Sequence, residues 1–431
     1  MTKQIGLVNY RDLSFILRQR IFLPKSRYPD QRHPVLFLSP SSRNNWCMKR
    51  ITLLLGYTLA TVCCLAQTPD TKKESNLLLT ANITLDNVNN LSGGIQQGSS
   101  LLALFDMSAT YATENGFLKN TSFHLHLLKT AGKGASENFI GDVQVASNIE
   151  GRYTLFVYEL LIRHKIGNWM ISAGMHDLNS EFMLSNYAGD FINSSFGIMP
   201  SVSLNVPVSI FPATTFGGLI SYSQGNFDVL LGFYNLNYEF FEEETFHFNN
   251  HFYQRGFLGV AEMHYRWFNN NKQVAEFRWG GYLKKCNEPN RENMPAECVN
   301  QLNYGFFVIG DFNLMKFTSG STIGAFVQAG LAPQSINWAS QYIGGGFSYR
   351  CTPRKYFPEQ IGIAVGSVEL NEFQNDGFVN TNQSETVIEA TATIPLTQRI
   401  KLQPDVQYIL SPSGIYNNAL VALFRLKFNL L

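Results

Sequence analysis

Charged residues are scarce in this chain. Asp, Glu, Lys and Arg make up 15% of its 431 residues, whereas soluble domains average about a quarter. Basic and acidic residues balance, 33 against 32, so the chain lacks the excess of positive charge that is typical of nucleic-acid binding. Beyond residue 66 it also lacks any uninterrupted apolar run of about 18 residues. That absence excludes a bundle of membrane-spanning helices.

Catalytic and metal-binding motifs are missing as well. His176, Asp177 and Ser194 have the residue types of a catalytic triad, but no GxSxG motif surrounds the serine. The chain contains no HExxH, no phosphate-binding GxxxxGK[ST] and no CxxC pair. We therefore expect no enzyme activity, no cofactor and no metal site.

Cysteine is rare in the main part of the chain. Beyond residue 66 there are three, Cys286, Cys298 and Cys351. The first two enclose a polar insert and could form a disulfide in an exported protein, which would leave Cys351 unpaired.

The N-terminal region has the pattern of an export signal. Met48-Lys49-Arg50 precedes a short apolar run, residues 51–66, that ends in Cys64-Leu65-Ala66. A basic start, an apolar run too short to span a membrane and a small-residue exit predict a signal peptide over 48–66. A lipoprotein signal at Cys63 and Cys64 is the second interpretation. Residues 1–47 are interpreted as a misannotated extension before a true start at Met48.

Residues 67–431 show repeated alternation of apolar and polar residues with a period of two, the pattern of β-strands with one apolar face. In 152–165, for example, Phe156 and Tyr158 fall on the apolar face with Leu160, opposite Glu159 and Arg163. The clearest alternating segments are 75–86, 101–111, 152–165, 261–267, 274–284 and 419–431.

A transmembrane antiparallel β-barrel explains this pattern better than a soluble secreted β-sandwich. The apolar faces are rich in aromatic residues, as membrane interfaces require, and the opposite faces carry charges of both signs that suit a wet lumen. Strands continue to the last residues, as closure demands. With about 22 residues per strand and connection, residues 67–431 predict an all-β barrel of about 16 strands, wide enough for an aqueous channel.

Three segments resemble the carbohydrate-selective porin (OprB) family: 174–217, 341–349 and 385–412, the last containing ETVIE and LQPDVQY. The resemblance implies a 16-stranded outer-membrane barrel of a Gram-negative bacterium that takes up sugars passively. It also implies contact with outer-membrane lipid and with the barrel-assembly machinery. Monomer and homo-oligomer both remain open. The chain departs from the usual aromatic C-terminus by ending in Leu430-Leu431.

The polar faces supply the predicted pore lining. A lumen selects solutes by its width, its hydrogen-bonding groups and its fixed charge. We expect Glu159 to pair with Arg163 and Glu262 with Arg266, so that the charges cancel locally. The inward-facing candidates are Asp106, Glu159, Arg163, Glu262, His264, Arg266, Glu276, Arg278, Asp405, Gln407, Arg425 and Lys427.

A long interruption of the alternation spans 176–217. It begins with His176, Asp177, Asn179 and Glu181, which are further candidates for sugar contact. The segment is either a constriction loop folded into the lumen or an ordinary extracellular loop on the rim. A general or ion-selective porin remains the alternative function.

Overall fold

The computed structural model describes residues 76–151, 155–206, 209–212, 214–236, 256–286, 302–374 and 377–431. In these ranges sixteen antiparallel strands form one closed barrel, which confirms the predicted fold and excludes the β-sandwich. The predicted signal peptide, residues 1–47 and Cys298 lie outside the described residues, so the disulfide prediction stays a prediction. Cys351 is free and partly buried.

The strands follow one another around the barrel in chain order. They are β1 (Leu77–Gly94), β2 (Gly98–Thr113), β3 (Thr121–Ala131), β4 (Leu155–Ile166), β5 (Trp169–His176), β6 (Thr215–Gln224), β7 (Phe227–Asn235), β8 (Gly256–Asn269), β9 (Lys272–Cys286), β10 (Asn303–Lys316), β11 (Thr322–Leu331), β12 (Ala339–Arg350), β13 (Gln360–Gln374), β14 (Gly377–Pro395), β15 (Ile400–Leu410) and β16 (Asn417–Asn429).

The barrel is closed by β1 and β16, which pair from Asn82↔Asn429 to Gly94↔Asn417. This pairing satisfies the backbone groups that an open edge would expose to lipid. Leu430 extends the seam, since its N–H donates to the carbonyl of Ala81 at 2.8 Å. The last strand therefore completes the barrel although the chain does not end on an aromatic residue.

The connections differ in length between the two ends of the barrel. At one end β4–β5, β6–β7 and β8–β9 are joined by two-residue turns, 167–168, 225–226 and 270–271. Gly167 and Gly225 adopt positive φ there, at 58° and 60°, which glycine tolerates without strain. The long connections 132–154 and 177–214 leave from the other end. Short periplasmic turns and long extracellular loops are typical of outer-membrane barrels.

Aromatic side chains collect on the outer surface near the short turns. Trp169 packs against Tyr222, and Phe227 against Tyr265, with 4.7 Å between ring centroids in each pair. Trp267 lies close by and is exposed. An aromatic belt beside the turns fits a membrane interface at that end.

Most of the alternating segments have the predicted side chains on the outer surface and in the lumen. In β4 the prediction is wrong for two residues. A β-bulge between β3 and β4 makes His126 pair with Glu159 while Leu127 pairs with Val157. The extra residue reverses the alternation. Phe156 and Tyr158 are therefore buried inside the barrel, not on the outer face with Leu160.

Two long connections fold into the barrel, and we name them by their position in the chain. Lumen loop A is residues 132–151, and lumen loop B is the described part of 177–214. Their apolar side chains pack against inward-facing apolar residues of the wall, so the hydrophobic core lies inside the barrel. The inner wall is thus polar only in part. None of the helices in the described ranges is long and apolar enough to cross a membrane.

Substitution of Phe424 tests the facing of the wall. Phe424 lies in the middle of β16 and is exposed on the outer surface. Phe424→Arg should destabilise the inserted barrel by about 2–4 kcal/mol, because it places a charge in lipid. Unfolding from lipid vesicles in urea, followed by tryptophan fluorescence, measures the difference.

Asn82→Arg is the matched control for Phe424→Arg. Asn82 faces the lumen on β1, opposite Asp106, so an arginine there gains a carboxylate partner. Equal destabilisation by the two substitutions would contradict the assigned facing.

Candidate functional site: the lumen and its loops

Buried carboxylates of the inner wall hold the lumen loops. Glu389 of β14 accepts the backbone N–H groups of Ile192 and Asn193 at 2.6 and 2.9 Å. Glu385, on the same strand, accepts those of Val143 and Gln144 at 2.8 and 2.9 Å. Both glutamates are fully buried. A backbone N–H out of water needs an acceptor, and each of these two side chains supplies acceptors for two such groups.

The same arrangement recurs on two other strands of the wall. Asp311 of β10 accepts from the backbone N–H groups of Asn186 and Tyr187 at 2.9 and 3.3 Å. Glu262 of β8 accepts from that of Met183 at 2.7 Å. Lumen loop B is therefore bound to β8, β10 and β14, which places it across the lumen. The segment therefore folds inward from the rim, and its role as a constriction stays a prediction.

Glycines of the wall leave room for aromatic side chains of lumen loop B. A Cβ atom at Gly324 of β11 would lie 1.8 Å from Cζ of Tyr187, and one at Gly362 of β13 would lie 2.7 Å from Cζ of Phe191. The guanidinium of Arg350 stacks on the Tyr187 ring, 4.7 Å from its centroid. Close backbone approach and ring packing thus fix the position of the loop.

The residues at the end of β5 and the start of lumen loop B make hydrogen bonds to other groups of the protein. The Asp177 carboxylate accepts the Asn179 N–H at 3.0 Å and caps a short 3-10 turn. Asn179 donates to the carbonyl of Phe182 at 3.2 Å. Nδ1 of buried His176 bonds the Asp177 carbonyl at 2.9 Å. Burial, and then the charge of Glu159, raise the pKa of Asp177 to about 7.

Asp106, His124, His126 and Glu159 form a group on β2, β3 and β4 that we call the histidine cluster. His126 lies between the two carboxylates, with Nε2 3.2 Å from Asp106 and Nδ1 3.4 Å from Glu159. Arg163 pairs with Glu181 of lumen loop B at 2.8 Å. The predicted Glu159–Arg163 pair is therefore wrong, because residues four apart on a strand are separated by about 13 Å.

A second charged group lies on β7, β8 and β9. Arg266 makes a two-pronged ion pair with Asp228 of the neighbouring strand, and not with Glu262 as predicted. Glu262 instead bonds Nε2 of His264. Arg278 pairs with Glu276 at 2.7 Å, two residues away on the same face. Both arginines of this group pair with a carboxylate, but Arg266 does so with a partner other than the predicted one.

The remaining predicted residues are buried in the wall. Gln407 donates to the Ala146 carbonyl at 2.8 Å and accepts from the Asn193 side chain at 3.1 Å, so it joins the two lumen loops. It also donates to Asp405 at 3.0 Å. Arg425 makes a two-pronged ion pair with Asp86 at 2.7 Å. Lys427 is partly buried beyond it on β16. A solute in the lumen cannot reach Gln407 or Arg425.

Partial exposure separates the residues that can contact a solute from those that hold the fold. The side chains of Asp106, Arg163 and Arg266 retain 31%, 32% and 28% of their accessible surface. Glu385, Glu389 and Gln407 retain none. Sugar contact by the exposed residues stays a prediction.

Several residues that line the lumen or hold its loops were not predicted from the sequence. His124 and His126 alternate with the outward-facing Phe123 and Leu125, so the period-two pattern of β3 could have placed both histidines in the lumen. Glu385 and Glu389 show no comparable signal, because their role depends on loop residues about 200 positions away.

Comparison with known proteins agrees with this architecture. A family model described as carbohydrate-selective porin, OprB family, matches residues 104–430. The high-pH structure of Pseudomonas putida OprB is similar with a TM-score of 0.71 and 18% identity, covering 82% of this chain and 94% of that one. Its low-pH structure gives 0.52 and 14%, covering 82% and 92%. No curated protein matches the sequence. At these identities, likeness to the two structures shows the fold.

Removal of the Glu389 carboxylate should release lumen loop B from β14. Glu389→Ala leaves two buried N–H groups without an acceptor, at about 1–3 kcal/mol each. We expect a higher and noisier single-channel conductance in planar bilayers.

Glu359→Ala is the control for Glu389→Ala. Glu359 of the β12–β13 connection pairs with Lys401 of β15, whose side chain is 38% exposed, and ion pairs open to water contribute about 0–1 kcal/mol. An unchanged conductance in Glu389→Ala would show that this carboxylate does not hold the loop.

Proposed function

The chain belongs to the carbohydrate-selective porin family, OprB, and on that basis we propose that its lumen passes neutral sugars down their gradient with only weak ion preference. Family and fold make it an outer-membrane carbohydrate porin. We further propose that the host is a Gram-negative bacterium, that the barrel-assembly machinery inserts the barrel and that the exposed lumenal charges contact the sugar.

The observation that carries the proposal is that each partly exposed arginine of the lumen is paired with a less exposed carboxylate. Arg163 lies against Glu181, and Arg266 against Asp228. Such pairs offer donors and acceptors to hydroxyl groups while their fields largely cancel. A lumen dominated by one sign would instead concentrate counter-ions. Partial exposure also keeps each contact weak, so that a solute can leave.

Liposome swelling tests the proposal directly. Vesicles containing the purified barrel should swell in glucose and in maltose at rates set by solute size. A monovalent charged solute of similar size should not enter faster than the sugars. If it entered much faster than every sugar, a general or ion-selective porin would replace the carbohydrate function.

Neutralising both exposed arginines should change ion selectivity. Arg163→Gln with Arg266→Gln leaves Glu181 and Asp228 uncompensated in the lumen. We expect the reversal potential in a salt gradient to shift toward cation selectivity, and block of the ion current by maltose to weaken severalfold.

Arg354→Gln with Arg399→Gln is the matched double control, because both arginines are exposed in connections outside the lumen. An equal shift of the reversal potential in this control would assign the effect to overall charge and not to the lumenal pairs.

A further inference from the structure

The histidine cluster brings two imidazoles and a carboxylate from adjacent strands to one point of the inner wall. Facing nitrogen atoms of His124 and His126 and one oxygen of Glu159 all lie within 4.8 Å of one another. Oε2 of Glu159 lies 3.6 Å from Nε2 of His124 and 3.4 Å from Nδ1 of His126. Donors that share a tetrahedral zinc ion, at about 2.0–2.1 Å from it, are separated by about 3.3 Å. The spacing therefore needs little adjustment to bind a metal.

Contacts with lumen loop B orient the carboxylate of Glu159. Oε1 of Glu159 accepts the backbone N–H of Asp177 at 3.2 Å and lies 3.4 Å from the Ser180 hydroxyl. Lumen loop B thus holds one oxygen, and the other faces the two histidines.

Each imidazole has a polar group of β2 near its second nitrogen. Nδ1 of His124 lies 2.7 Å from the Thr110 hydroxyl, and Nε2 of His126 lies 3.2 Å from Asp106. A metal-bound histidine nearly always donates its other N–H to such a group, which fixes the ring and its tautomer. Strand β2 therefore supplies an outer shell for ligands that come from β3 and β4.

Charge and access also favour a cation. The side chains of His124 and His126 are partly exposed to the lumen, so an ion can enter from water. Asp106 and Glu159 contribute negative charge, while the nearby Arg163 is occupied by Glu181. Two imidazoles with one carboxylate suit divalent transition metals, whereas Mg²⁺ and Ca²⁺ prefer oxygen ligands.

We propose that His124, His126 and Glu159 form a binding site for a divalent transition metal ion such as Zn²⁺ in the wall of the pore, with a remaining coordination position open to lumenal water. Asp106 and Thr110 position the two histidines. The bound ion adds two positive charges beside the permeation path and reduces the current carried by cations.

Metal binding is measured by titrating zinc chloride into the detergent-solubilised barrel, purified without a histidine tag. We expect one equivalent to bind with micromolar or tighter affinity. His124→Gln and His126→Gln should each weaken binding at least 100-fold. His164→Gln, a histidine of β4 bonded to Thr121 at 2.8 Å, should leave binding unchanged.

Asp106→Asn distinguishes a positioning role from a merely structural one. It keeps the size of the side chain and removes the charged acceptor, so zinc affinity should fall about 10- to 100-fold. Heat-modifiable migration on gels and circular dichroism should match the parent barrel and confirm folding in every variant. Unchanged zinc affinity in Asp106→Asn would overturn the positioning role of Asp106.

Planar-bilayer recording tests the effect of the ion on the pore. Micromolar zinc chloride should lower the single-channel current of the parent and of His164→Gln, chelator should restore it, and His126→Gln should not respond. No zinc binding by the parent, or binding unaffected by both cluster variants, would overturn the proposal and leave a hydrogen-bonded network that stiffens the wall. Sugar-driven swelling in chelator stands independently of either result.

Discussion

The interior of this barrel depends on carboxylates that accept backbone N–H groups. Lumen loops A and B leave bulk water when they fold inward, and their amides lose the acceptors that water provides. The carboxyl oxygens of Glu385, Glu389, Asp311 and Glu262 replace that water as acceptors on the strands. These acids therefore stabilise the inward position of the two loops.

Which side chains of a strand face the lumen and which face outward could be predicted from the sequence wherever the alternation is unbroken. Phe424 and Arg425 follow the pattern, with Phe424 on the outer surface and Arg425 bonded to Asp86 inside. The pattern failed at Phe156 and Tyr158, because a bulge inserts one residue and a shift of one residue moves every following side chain to the other face. Nothing in the local composition marks that bulge.

Charge pairing could not be predicted, because it depends on strand register. Contacts between residues four apart are a property of helices. On a strand the same spacing covers about 13 Å, and neighbours on one face are two apart, as in Glu276 and Arg278. The other partners come from adjacent strands or from a loop. Asp228 lies 38 positions before Arg266, and Glu181 belongs to lumen loop B. Only the folded register brings these groups together.

The polar residues of the lumen therefore divide by exposure into two sets with different consequences. Fully buried acids hold the loops, while half-exposed groups determine what a solute meets. The histidine cluster belongs to the second set but is tied to the first, because Asp177 of lumen loop B holds one oxygen of Glu159. A metal ion at the other oxygen of Glu159 would bridge β3 and β4. Occupation of the cluster would then alter the charge of the lumen and strengthen one attachment of lumen loop B, so a single ion would act on both sets.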